Sequence, residues 1–197
     1  MLGLEYILNL YNMQYIELAE KLGIKKQNIN MWIKGKQKIP KKYYPTLEEL
    51  FGVKAEYFGK EINEIDKLEI QKEKLKGELK PVITKYEEQF SLNDPDNLKK
   101  VPIYDNEEIN AMDKAIDKTK VMSKLYDAIN VVEDNPYMDT YKLLAEIMEK
   151  AQHEALVHKT IEALAHYFEV LPDYISSNDG QEEFEGELFE VFDDYNY

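Results

Sequence analysis

The chain has 197 residues, of which 44% are hydrophobic and 32% charged, with a formal net charge of −14; that mixture is too apolar for a wholly disordered chain and suits one ordinary domain or two small ones. It contains no cysteine, which excludes disulfides, thiol nucleophiles and thiolate metal sites together. The N-terminal stretch lacks the basic start and unbroken apolar run of a secretory signal, and no later run approaches the roughly 20 apolar residues of a membrane span, so a cytoplasmic protein with no membrane partner is expected.

The charge is unevenly placed. All 25 positive side chains are lysine and none is arginine, so anion recognition must use point charges, amides and hydroxyls rather than a guanidinium fork. The first 60 residues hold ten lysines against six acids, a net +4, and the remainder fifteen against thirty-three, a net −18. A basic block attached to an acidic one attracts phosphate locally even when the whole molecule is negative. After Lys159 there is no further lysine, so the end of the chain cannot bind nucleic acid.

In chain order, Leu2, Leu4, Ile7, Leu8 and either Leu10 or Tyr11 follow helical spacing and predict a first helix. Ile16, Leu18, Ala19 and Leu22 repeat the pattern until Gly23, a residue suited to the left-handed turn after a helix. A third helix is predicted from Lys25 to about Lys34. It buries Ile29 with Trp32 or Ile33, turns Lys26, Gln27, Asn30 and Met31 outward, and ends at Gly35. A basic connection, "IPKKYYP", leads to a fourth helix around "TLEELF", and "GVKAEYFG" makes a last helical turn.

Gln14, Leu18-Ala19, Leu22-Gly23-Ile24, Ile29, Trp32, Gly35-Lys36, Pro40, Leu47, Leu50 and Gly52-Val53 together resemble the helix-turn-helix domain of the phage repressor and Cro family, often called Xre-like, over about residues 10 to 60. Ile33 departs from it, where an acidic residue is common, and Lys54-Ala55 replace a small polar residue and a proline. In that motif the third helix enters the major groove and the flanking segments hold phosphates. The resemblance implies base reading by Lys26, Gln27 and Met31, assisted by Lys25, Asn28 and Asn30. It implies phosphate binding by Gln14, Lys36, Lys38, Lys41 and Lys42. With amides suited to adenine and no arginine for guanine, an A·T-rich operator is expected.

Beyond residue 60, Ile65, Leu68, Leu75, Leu79 and Val82 space out a connecting helix or short coiled coil, with polar Lys72 in its seam. "SLNDPDNLKKVPIYDNEE" reads as a loop with a hinge near 91–105, and Asp105 with Glu108 as an acidic capping box. Helical spacing continues through "KVMSKLYDAINVVE", "YMDTYKLLAEIMEKAQ" and "EALVHKTIEALAHYFEV", and strand signals are absent apart from short aromatic pieces in the tail. His153 and His158 are five apart, about 140° round a helix, so they do not form the i, i+4 zinc pair. The tail mixes acids with Phe184, Leu188, Phe189, Val191, Phe192 and Tyr195. It reads as a loosely packed end, an amphipathic partner-binding segment, or an acidic mimic that covers a lysine face.

The expected fold is all-α: a five-helix lambda-repressor-like DNA-binding domain (1–60), a connecting helix (61–90), a loop (91–104), a helical oligomerisation or effector domain (105–178) and an acidic aromatic tail (179–197). The expected function is sequence-specific transcriptional regulation, as an oligomeric repressor on inverted-repeat operators. The resemblance implies control of a phage, plasmid or conjugative element. Expected partners are a double-stranded DNA operator, a homodimer or homotetramer, and an antirepressor or other protein for the acidic region. No catalytic residue, metal or cofactor is expected. The alternative is an antitoxin-like interaction module that keeps the helix-turn-helix fold and uses its acidic region for a partner.

Overall fold

Leu4, Ile7 and Leu8 are buried one helical turn apart in α1 (Gly3–Leu10), and they start the core onto which α2 (Tyr15–Lys21) and α3 (Lys26–Ile33) pack. The computed structural model of the chain describes residues 1–89, 98–131, 135–170 and 179–194, apart from the side chains of Asp179 and Gln181. It is mostly helical. Packing divides it into two units, Met1–Lys85 with Ile103–Asp127, and Tyr86–Pro102 with Ala128–Tyr197.

In the first unit, α1, α2 and α3 stop in the same way. Asn12, Gly23 and Gly35 take positive φ (51°, 65° and 66°). The next N–H reaches back five residues, Met13 to Leu8, Ile24 to Ala19 and Lys36 to Met31, at 2.9, 2.9 and 3.0 Å. This closes the orphan carbonyls at the helix end, and glycine adopts the left-handed conformation without a side-chain clash. A 3-10 turn (Lys41–Tyr43) then leads into α4 (Tyr44–Phe51) and α5 (Ala55–Phe58). The expected basic connection is thus itself helical, with Pro45 in the first turn of α4, where its missing N–H costs nothing. Trp32 is buried, its ring 5.4 Å from that of Tyr43, while Ile33 is half-buried against the same core. The Lys54-Ala55 departure is served by Glu48, whose Oε1 accepts the Ala55 N–H at 2.6 Å in place of a capping side chain.

The segment expected as a linking helix is α6 (Glu64–Leu79), and it belongs to this core. Asn63 and Asp66 cap it reciprocally, at 2.9 and 3.1 Å, and Lys60 pairs with Asp66 at 2.8 Å. Ile70 is fully buried with the N-terminal helices, and Gln71 Nε2 donates to the Tyr6 hydroxyl at 2.6 Å. The buried face is therefore Asp66 and Ile70, whereas Ile65, Leu68 and Leu75 are half-buried and Leu79 exposed. Seam residue Lys72 forms an ion pair with Asp113 of α7 (Glu107–Ile129).

Tyr57 of α5 donates its hydroxyl to Glu69 of α6. Burial first, and then that hydrogen bond, push its phenol well above the ordinary range. The fold thus favours the neutral phenol. The stability it contributes is fully present below about pH 10, where an unfolded tyrosine titrates, and is lost as pH rises further. Urea unfolding followed between pH 8 and pH 11 should show this alkaline loss, and Tyr57→Phe should make it shallower. An unchanged pH profile in the variant counts against the pairing.

Two strands correct the all-α expectation. β1 (Ile83–Gln89) and β2 (Lys99–Tyr104) form a two-stranded sheet. The period-2 signal failed because β1 is solvated on both faces and offers no apolar alternation, while β2 buries only Val101 and Tyr104. Polar side chains pin the base of the hairpin. Asp105 donates its N–H to Val82 O and accepts the Val82 N–H, both at 2.9 Å, and Asn110 bonds both backbone groups of Tyr104, at 2.8 and 2.7 Å. Asp105 is thus no capping-box partner of Glu108. The cap of α7 is Asn106, whose Oδ1 accepts from the N–H groups of Glu108 and Ile109. Of the expected loop, Lys99–Tyr104 is β2, and residues 91–97 lie outside the described residues.

In the second unit, α8 (Met138–Lys150) and α9 (Ala155–Tyr167) occupy the expected helical segments. The tail is not a loose end: α10 (Asp179–Asp194) packs on α9. His166 Nδ1 donates to the buried carboxylate of Glu185 at 2.9 Å, and the Tyr167 hydroxyl donates to Asp193 at 2.9 Å. Phe189 packs tilted and Phe192 edge-on against Tyr167, ring centroids 5.4 and 5.0 Å away. This anchoring was hidden because the acids outnumber the aromatics in sequence, whereas on the helix the aromatics share one face. Residues 195–197 of the expected tail lie outside the described residues. Among the described residues, no helix is long and apolar enough to cross a membrane.

Candidate nucleic-acid interface

The outward face of α3 is set by its buried one. Ile29 and Trp32 point into the core, so the 3.6-residue period turns Gln27 and Met31 away from it. Lys25, Lys26, Gln27 and Asn28 are exposed, as is Met31, while Asn30 is half-buried at the edge of the face. Lys34, exposed at the C-cap, continues the same row at spacing i, i+4, i+7 from Gln27. It is absent from the sequence-based set, although that spacing alone would have found it.

Gln14 and Lys26 come together. They line a cleft of about 400 Å³ with Asn9, Asn12 and Tyr15, all polar groups supplied by the end of α1, the start of α2 and the start of α3. Asn9, Asn12 and Tyr15 were missed in the sequence because the cleft joins three helices that periodicity treats singly. Burial first, then the Glu5 carboxylate, raises the Tyr15 phenol above its ordinary range. The backbone at the start of α2 is less free than expected, since Glu17 Oε2 accepts the Gln14 N–H at 3.0 Å. The Gln14 side chain itself is exposed.

Lys36, Lys38, Lys41 and Lys42 are exposed along the segment from α3 to the 3-10 turn, with Lys42 Nζ resting 4.8 Å from the Tyr43 ring centroid. Their electrostatic situation differs from that of the later lysines. Among the described residues, none of Lys25, Lys26, Lys34, Lys36, Lys38, Lys41 and Lys42 forms an ion pair. In α6, by contrast, Lys67, Lys72, Lys74 and Lys76 each pair with a carboxylate. A cation with no local partner keeps its full attraction for an incoming phosphate, while a paired one must first give up its carboxylate.

Residues 15–56 match the family model described as Bacterial toxin YdaS. The family is of helix-turn-helix type. The match takes in α2, α3, the 3-10 turn, α4 and the start of α5, and so holds every expected DNA contact except Gln14, one residue before it. It leaves out α1, α6 and all that follows. No curated protein and no solved structure matches the chain.

Proposed function

We propose that this protein is a sequence-specific DNA-binding transcriptional regulator, an oligomeric repressor that reads inverted-repeat operators with α3. The observation that carries this reading is the unpaired row of lysines and amides on α3 and the segment after it, standing on a helix-turn-helix in an otherwise acidic chain. Lys26, Gln27 and Met31 read base edges, with Lys25, Asn28 and Asn30 beside them. Gln14, Lys36, Lys38, Lys41 and Lys42 hold phosphates. No step of this function is catalytic and none needs a metal or cofactor. One helix-turn-helix unit buries little DNA, so two copies read half-sites one helical turn, about 34–36 Å, apart. The absence of arginine favours A·T-rich half-sites, and a binding-site selection that returns G·C-rich ones would refute that preference.

The test is binding of the full chain to its own upstream DNA and to scrambled DNA, beside the double variant Lys26→Ala, Gln27→Ala. The wild type should prefer the upstream fragment. The variant should lose that preference by about 1–3 kcal/mol per lost base contact while still binding DNA non-specifically.

A second reading has one observation behind it: the matched family is described as a bacterial toxin. The helix-turn-helix fold would then serve protein contact, with the acidic C-terminal region as the partner surface of a toxin–antitoxin type of pair. A wild type with no preference for any upstream fragment at moderate salt would move the weight to this reading.

A further inference from the structure

Backbone hydrogen bonds tell the two edges of the hairpin apart. Val82 and Asp105 face each other across it, the Asp105 N–H donating to Val82 O at 2.9 Å, and the Thr84 hydroxyl reaches Ile103 O at 3.1 Å. Bonded pairs recur at every second residue of an antiparallel ladder. The even residues of β1 therefore turn their N–H and C=O groups to β2, and the odd ones, from Ile83 to Gln89, turn theirs outward. On β2 the outward set is Lys100, Pro102 and Tyr104. That edge is closed, because Pro102 has no N–H to give and Asn110 takes both backbone groups of Tyr104. The outer edge of β1 carries neither device: it has no proline, and Ile83 through Glu88 are exposed. A two-stranded ribbon is marginal by itself and gains from further strands.

We propose that this edge pairs with β1 of a second copy of the chain, antiparallel about a two-fold axis at Tyr86, to give a four-stranded sheet. A two-fold contact requires a self-complementary surface, and the strand, "ITKYEEQ", is self-complementary in this register. Tyr86 meets its own copy, Lys85 meets Glu87 of the second copy, Glu87 meets Lys85 of the second copy, and all seven residues overlap. Lys85 and Glu87 are both outward residues, so each of these charge pairs also exchanges backbone bonds. Slipping by the two residues that keep this bonding sets Lys85 opposite Lys85 or Glu87 opposite Glu87, and like charges directly opposite are destabilising. Charge thus selects one register, with the same strand as occupant. Lys85 and Glu87 have partners within the single chain; the register depends on where their signs fall, not on either being free. Tyr86, 60% exposed, falls in a non-hydrogen-bonded pair, where side chains come closest. The pairing is read from β1 and β2 alone; its role, bringing two α3 helices to two half-sites, rests on the DNA-binding reading.

Because the chain has no cysteine, the axis can be located in the full-length protein with single introduced thiols. On oxidation Tyr86→Cys should give a covalent dimer, since a disulfide needs Cβ atoms roughly 4 Å apart. Thr84→Cys and Glu88→Cys are the controls. In this register each is about 13 Å from its own copy, at about 3.3 Å per residue, and should cross-link about tenfold less. Wild type should sediment as a dimer or a multiple of it. Lys85→Glu alone and Glu87→Lys alone each set like charges face to face, and each should weaken the dimer about tenfold; the double variant restores opposite pairs and should recover most of that loss. Trp32 fluorescence checks that each variant is folded. The proposal is overturned by a monomeric wild type at hundreds of micromolar, by Tyr86→Cys that cross-links no better than the controls, or by a double variant no tighter than the single ones. None of these readouts uses DNA, so a protein that dimerises through β1 without binding DNA refutes the function alone, and a monomer that binds its operator refutes the surface alone.

Discussion

Replacing Lys36, Lys38, Lys41 and Lys42 together by alanine should weaken binding to every DNA sequence and flatten its dependence on salt. Each lysine that neutralises a phosphate releases counterions and adds about −0.9 to the slope of log affinity against log salt, so losing four contacts makes the slope less negative by about 3.6. The four side chains are exposed and, among the described residues, without an ion pair, so alanine there removes no contact of the fold but that of Lys42 with the Tyr43 ring. Between 50 and 200 mM salt the wild type should therefore lose about a hundredfold more affinity than the variant does. Titration of one labelled operator fragment at four salt concentrations measures this. The pattern should be the reverse of the Lys26→Ala, Gln27→Ala variant, which changes the preferred sequence and leaves most of the slope intact. A quadruple variant with the wild-type slope would show that these lysines touch no phosphate.

Gly3→Ala should cost about 3 kcal/mol, the upper range of overpacking. The backbone of α1 passes so close to α5 that a Cβ on Gly3 would lie 1.7 Å from Tyr57 O, 2.8 Å from the Tyr57 carbonyl carbon and 3.1 Å from Ile62 Cγ2. Two of those three atoms are backbone and cannot rotate away. The same strand of chain is held on both sides: the Gly3 N–H donates to Lys60 O at 2.9 Å, the Ile62 N–H to Met1 O at 3.2 Å, and Leu2 bridges Glu61. The single tryptophan, Trp32, sits in this core, so its fluorescence during urea unfolding reports this unit. Gly77→Ala is the control. Nothing lies within 4 Å of that added Cβ, and alanine should gain about 0.5–1 kcal/mol from helix propensity. A Gly3→Ala variant as stable as the wild type would contradict the close passage of α1 over α5.

Gly3 itself shows where sequence reading stops. In "MLGLEY" it looks like a weak spot in a helix, and only the return of residues 57–62 beside it explains the residue. Lys72 is similar. As a polar residue in an apolar seam it argues against a coiled coil, while in the fold it pairs with Asp113, forty-one positions on. Asp105 and Asn106 compete for the same role by composition, and the hairpin decides that the first clamps Val82 while the second caps α7. Much of the α3 face, in contrast, was legible, because a short helix with two strong anchors, Ile29 and Trp32, has only one way to turn the rest outward.

The sequence by itself determined the helix-turn-helix segment, its glycine stops and the positive charge of its outer face. These depend on local periodicity, on left-handed glycine positions and on side-chain type, all of which act within a few residues. The tertiary structure alone decided that α6 belongs to the N-terminal core, that a two-stranded sheet follows it, that Gln14 and Lys26 share a cleft, and that the acidic tail is a helix anchored on α9. Each of those rests on contacts between segments distant in the chain, where a single buried isoleucine or a pair of aromatic rings outweighs the composition of the residues around it.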